Sequence, residues 1–128
     1  MSIAKRTLLV LLGVFFVCAG VSHFTQTAFF VEIVPPYLPA PLALVWASGV
    51  AEIALGALVL VPATRRLAAW GLIALLIAVF PANVHMALHH VQPAHAPPWM
   101  GHPSALALWL RLPVQGLLVA WAWWYTPD

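Results

Sequence analysis

The residues able to do chemistry in this chain of 128 are few, and most stand inside long apolar runs: His23, Ser48, Glu52, Asn83, His85, Arg111 and Gln115. An ionisable or amide group in such a run is costly unless it finds a partner, so each is a candidate site residue. Ser48, Glu52 and Gly56 follow one another at i, i+4 and i+8, and Arg111 and Gln115 at i and i+4, so each set shares one helix face. An uncompensated buried carboxylate takes up a proton, whereas an arginine keeps its own, which makes Glu52 with Arg111 the expected ion pair. A neutral Glu52 that donates a hydrogen bond is the alternative. The group predicts either a polar clasp that locks helices together or, preferred here, a pocket for a polar or amphipathic small molecule.

Histidine suggests a second chemistry. His23 and His85 stand near the ends of two apolar runs, where two imidazoles could ligate a haem or a metal with Arg111 near a propionate. Residues 86–103 add His89, His90, His95 and His102 with Met86 and Met100, a composition suited to copper or zinc but without a fixed ligand spacing. Hydrogen bonding at helix ends and a polar, proline-rich loop are the plainer readings, and no metal ligand is assigned. The one cysteine, Cys18, excludes an internal disulfide and reads as a small apolar core residue.

The elements that position these groups follow from composition. Hydrophobic residues make up 64% of the chain and charged ones 6%, with a mean hydropathy of +0.99. Soluble domains carry roughly a quarter charged residues, so a soluble enzyme and a disordered tail are excluded. No basic stripe accompanies the pI of 9.2, which excludes a nucleic-acid partner. About 20 apolar residues cross a bilayer as helix, and four runs qualify: about 7–25, 41–61, 67–90 and 104–125. Pro81 falls inside the third and should kink it. The expected fold is an all-α, integral membrane four-helix bundle occupying residues 1–128 as one domain. The apolar run behind Lys5 and Arg6 is long and lacks a small-x-small cleavage site, so it reads as a span and not a signal peptide.

Lys5 and Arg6 precede the first span and Arg65 and Arg66 join the second to the third, while residues 26–40 and 91–103 contain no Lys or Arg. The positive-inside rule then puts both termini in the cytoplasm. Counting at about 1.5 Å per residue sets Glu52 and Gln115 roughly 16 Å below the outer surface, Arg111 about 10 Å, Asn83 and His23 about 6 Å and His85 about 3 Å. The polar groups therefore form one cluster in the outer half. Between the first two spans, FFVEIVPPYLP offers a short interfacial helix that ends at Pro35, with Glu32 as a solvated carboxylate. A shift of 62 residues also matches His23 to His85, Pro36 to Pro98 and Pro41 to Pro103, which allows a parallel two-fold internal repeat with the two histidines facing each other.

The series AGVSHF, FFVEIVPPYLP, SGVAEIALG, PATRRLAAWGLIALLIAVFPAN and LRLPVQ resembles the DoxX family of small four-span bacterial membrane proteins, over nearly the whole chain outside the histidine-rich loop. The resemblance implies a four-helix bundle in the bacterial inner membrane, similarity to a subunit of a thiosulfate:quinone oxidoreductase, and links to thiol redox complexes; it supplies no settled catalytic residues. The expected function is a redox-associated membrane subunit that binds a quinone-like or other amphipathic molecule. The chain has neither a cysteine cluster nor a flavin motif, so an oxidoreductase role would need electrons from a partner protein. A lipid-binding or assembly-type membrane protein, homo-oligomeric or not, is the alternative, with haem or copper binding through histidines a further one.

Overall fold

The computed structural model describes residues 1–98 and 103–127. They form five helices: α1 (Ile3–Thr25), α2 (Thr27–Ile33), α3 (Pro41–Leu58), α4 (Arg65–His89) and α5 (Ala105–Trp123), with no strand among the described residues. Four of the five are long and apolar enough to cross a membrane. The sequence-expected spans hold within a few residues, and the departures have local causes. Helix α1 starts at Ile3 because the Ser2 side chain accepts from the Lys5 backbone N–H, and α5 starts behind Ser104, which caps the Ala107 N–H in the same way. Helix α3 stops at Leu58, and Arg65 closes the turn beyond it by donating from Nε to the Val59 carbonyl and from Nη2 to that of Leu60, at 3.0 and 3.1 Å. Arg65, expected only to orient the chain, thus also satisfies carbonyls that the helix end leaves without partners.

Antiparallel neighbours α1 and α3 are held at backbone distance by four glycines. A Cβ added at Gly20 would stand 2.6 Å from the Gly49 carbonyl oxygen, and one at Gly56 would stand 2.9 Å from that of Gly13. Small residues seven apart on each helix therefore let the two backbones touch, a contact that takes the place of a hydrophobic driving force where lipid is the solvent. Helix α4 meets α3 where Leu55 packs over Gly71, and α5 packs against α4.

The end of the bundle that carries both termini is filled by one apolar core, with Leu12, Phe16, Val59, Leu72, Leu76 and Tyr125 among its members. The Tyr125 hydroxyl donates to the Lys5 carbonyl at 2.9 Å and ties the end of the chain to the start of α1. At the other end, α2 and the turn after it lie across α3. Large apolar side chains such as Val14, Val50, Ile77 and Leu117 point out of the bundle. Cys18 does too, contrary to the core position expected of it: it stands on α1 away from the Gly13–Gly20 face that packs on α3.

Candidate functional site

Between α1, α2, α3 and α4, at the end opposite the termini, lies a cavity of about 470 Å³. Its walls are mostly apolar, with Phe30, Ile33 and Leu38 from α2 and the following turn, Val45 and Ala51 from α3, and Leu75 and Val79 from α4. Five polar side chains reach it: His23, Ser48, Glu52, Asn83 and Arg111. Each was expected from its place in an apolar run. Their convergence follows from register, since the α1–α3 glycine contacts set His23 opposite the Ser48–Glu52 face.

His23 is fixed on both sides. Its ring stacks on Phe30 with centroids 4.0 Å apart, and Nδ1 lies 2.8 Å from the Ala19 carbonyl oxygen. A carbonyl only accepts, so Nδ1 carries the hydrogen. The same nitrogen lies 3.4 Å from Glu52 Oε2, yet its N–H is spent on Ala19, and Oε2 is buried without a hydrogen-bond partner among the described residues. The Ser48 hydroxyl donates to the Val45 carbonyl at 3.0 Å. Arg111 is half-buried, and its one hydrogen-bond contact among the described residues is the Met86 sulfur, 3.9 Å from Nη1.

The expected Glu52–Arg111 ion pair is not formed within 4.0 Å. Both groups face the same cavity, but Glu52 leans toward His23 on α1 and Arg111 toward Met86 on α4. One carboxylate and one guanidinium are thus offered to a shared space without neutralising each other.

Two predicted pocket residues lie elsewhere. Gln115 is buried between α4 and α5, where it accepts from Asn83 Nδ2 and donates to the Leu76 carbonyl, so it acts as a clasp. Pro81 lies nearby in α4; it lacks the N–H that would bond the Ile77 carbonyl, the neighbour of the Leu76 carbonyl that Gln115 reaches. Helix α4 nonetheless runs unbroken through Pro81, as α5 does through Pro113. His85 faces away from the cavity. It packs edge-on to Tyr37 and tilted against His89, with centroids 6.2 and 4.5 Å apart.

The histidine readings change accordingly. His23 lines the cavity, whereas His85 packs on Tyr37 and His89 and is not among its lining residues, so the structure does not bring the two to one site. No group of three or more His, Cys, Asp or Glu side chains is placed to hold a metal among the described residues; His102 lies outside them. His95 instead pairs with Glu32, its ring against one carboxylate oxygen and its backbone N–H donating to the other at 3.2 Å. This contact holds the Glu32 carboxyl below its ordinary range, by the His95 side-chain hydrogen bond above all. Glu32, expected to be merely solvated, ties α2 to the loop between α4 and α5. Sequence reasoning had no signal for that tie, because the two residues are 63 positions apart.

Helices packed through glycine around a mixed polar and apolar cavity define a small helical bundle with an internal cavity. Residues 12–126 match the family model Domain of unknown function (DUF8561), and the chain belongs to that family. No curated protein and no solved structure matches it.

Proposed function

We propose that this is a multi-pass protein of the bacterial inner membrane, DoxX-like in plan, that binds a quinone-like or other amphipathic small molecule in the cavity beneath α2. The observation that carries the reading is the cavity itself: about 470 Å³ of mainly apolar wall, with Glu52 and Arg111 presented to it without a shared salt bridge. Such a volume suits a ring or headgroup with part of an acyl or isoprenoid chain, and a few convergent polar groups in an apolar cleft fix orientation. Four apolar helices with apolar outward faces support the membrane location. The cations Lys5, Arg6, Arg65 and Arg66 gather at the end that holds both termini, which under the positive-inside rule faces the cytoplasm and puts the cavity in the outer half. The pairing of α1 with α3 and of α4 with α5 is compatible with a two-fold repeat.

In the redox form of this reading, a partner protein supplies or removes electrons and this chain holds the amphipathic carrier. The test is purification in mild detergent, extraction and mass analysis of co-purifying molecules, and thermal denaturation with added short-chain quinone. A co-purifying amphiphile with a saturable stabilisation is expected. Absence of both contradicts the reading. Recovery of phospholipid alone favours the lipid-binding alternative, for which the apolar wall is equally suited.

A further inference from the structure

One cation stands apart from the rest. Of the five Lys and Arg residues, Lys5, Arg6, Arg65 and Arg66 gather at the end that carries the termini, and Arg111 alone lines the cavity at the other end. A guanidinium keeps its charge at any accessible pH, and a charge set within a span is costly unless an anion faces it. The chain has three acidic residues to offer. Glu32 is taken by His95. Glu52 is turned to His23 and forms no ion pair with Arg111. Trp123, the end of α5 away from the cavity, lies about 18 Å of helix beyond Arg111, and Asp128 comes after it in the sequence. The contact that Arg111 does have, with the Met86 sulfur, also locates its head. Asn83 and Met86 stand at i and i+3 on α4, so the guanidinium reaches the turn of α4 from which the Asn83 amide enters the cavity. Asn83 gives one amide hydrogen to Gln115 and keeps a second.

From this we infer that the cavity takes an anionic amphiphile, its carboxylate or phosphate head bound at Arg111 with Asn83 and its apolar chain laid against Phe30, Ile33, Leu38 and Val45. The inference rests on the proposed amphiphile site and assigns the charge of its ligand. A guanidinium bonds two oxygens of a carboxylate or phosphate in parallel, and each bond gains from charge on both partners. An alcohol or a neutral ring offers uncharged oxygen and leaves the guanidinium uncompensated, and an ammonium head is repelled. The Glu52 carboxyl stands on α3, with Oε2 buried on the His23 side and away from this corner.

The experiment measures binding to the full-length protein in a non-ionic detergent at about pH 8, where carboxylic acids are ionised. The probes share one chain and differ in the head: decanoate, decyl phosphate, decanol and decylamine, with Ala51→Phe as the control for uptake by the micelle. At least one of the two anions should have a Kd about tenfold or more below those of decanol and decylamine, a ratio equal to about 1.4 kcal/mol. Tighter decanoate identifies a fatty acid as the natural occupant, and tighter decyl phosphate a phosphate-headed lipid. Inorganic phosphate at the same concentration should displace neither; displacement would make the ligand a free anion and overturn the inference. Decanol or decylamine binding as tightly as both anions also overturns it and leaves an amphiphile site in place. Binding of none of the four, with saturable stabilisation by a short-chain quinone, overturns it and spares the parent reading; no binding of any probe removes both. Arg111→Met should reduce the anion-to-decanol ratio to about threefold or less. Glu52→Gln, which removes no donor, should not weaken anion binding. An unchanged ratio in Arg111→Met contradicts the assignment to Arg111, as does a ratio that collapses in Glu52→Gln alone. The probe series on the unaltered protein decides the matter even where a variant does not fold.

Discussion

The two ends of the bundle are built from different side chains and do different things. At the end carrying both termini, Leu12, Leu72 and Val59 are wholly buried at 0% exposure and Phe16 nearly so at 2%; the polar groups there are the Tyr125 hydroxyl, bonded to the Lys5 carbonyl, the Thr126 hydroxyl, bonded to that of Trp123, and the Trp121 indole N–H, buried without a hydrogen-bond partner among the described residues. At the other end the same helices part around a cavity, and His23, Ser48, Glu52, Asn83 and Arg111 face it. The hollow end forgoes apolar contacts, leaves a carboxylate oxygen unmatched, and is roofed by a seven-residue helix held through Glu32 and Phe30. An uncompensated buried polar group lowers stability at either end, so what sets the hollow end apart is the cavity with a carboxylate and a guanidinium facing it, not the unmatched oxygen alone.

The contrast can be broken most severely at the seam that carries both halves. Gly20→Leu drives a side chain into the Gly49 carbonyl, 2.6 Å from its first carbon, and should cost about 3 kcal/mol or prevent folding. Gly116→Ala, with nothing within 4 Å of the added carbon, should be neutral or stabilising by up to about 1 kcal/mol. Thermal denaturation in detergent compares the two; similar midpoints would remove the glycine contact from the account. Gln115→Leu comes next. It deprives the Asn83 amide and the Leu76 carbonyl of partners at the edge of the hollow end, for a loss of about 2 kcal/mol in the same assay.

Smaller in stability but larger in function, Ala51→Phe fills the cavity from its α3 wall. It should leave the unliganded melting temperature within a few degrees of the original and abolish stabilisation by added amphiphile; stabilisation that survives would place the ligand elsewhere. The smallest effect is expected at the roof. His95→Ala should raise amide hydrogen exchange in α2 several-fold with little change in global stability. Because its contact lowers the Glu32 pKa from the ordinary 4.5, the tie is fully present above that value and is lost as the pH falls through the lowered one. Expressed as protection factors, which remove the intrinsic pH dependence of amide exchange, the protection of α2 should therefore fall in acid in the original protein and change less with pH in His95→Ala.

Most of the fold could be read from the residues, because four runs of apolar side chains bounded by Pro41, Pro62, Arg65 and Ser104 leave few other arrangements. The gathering of His23, Ser48, Glu52, Asn83 and Arg111 at one level was also readable, from depth along each helix. What depth does not contain is rotation about the helix axis. Gln115 shares a helix face with Arg111 yet turns into the α4–α5 seam, and His85 lies close to Asn83 in sequence yet packs on Tyr37 outside the cavity. The glycine contact does have a signal in the residues: Gly13 and Gly20 repeat the seven-residue spacing of Gly49 and Gly56. The Glu52–Arg111 pair failed for a different reason. Matching opposite charges assumes that a bundle neutralises itself, whereas these two side chains lean on His23 and Met86 and leave the space between them to something else.

Whether that space is a binding site is tested most directly by native mass spectrometry of the protein released from its own membranes, compared with Ala51→Phe released in the same way. The account predicts one dominant amphiphilic adduct on the original protein that resists collisional activation and is lost from the variant. The same adducts on both proteins, or none on either, would contradict it.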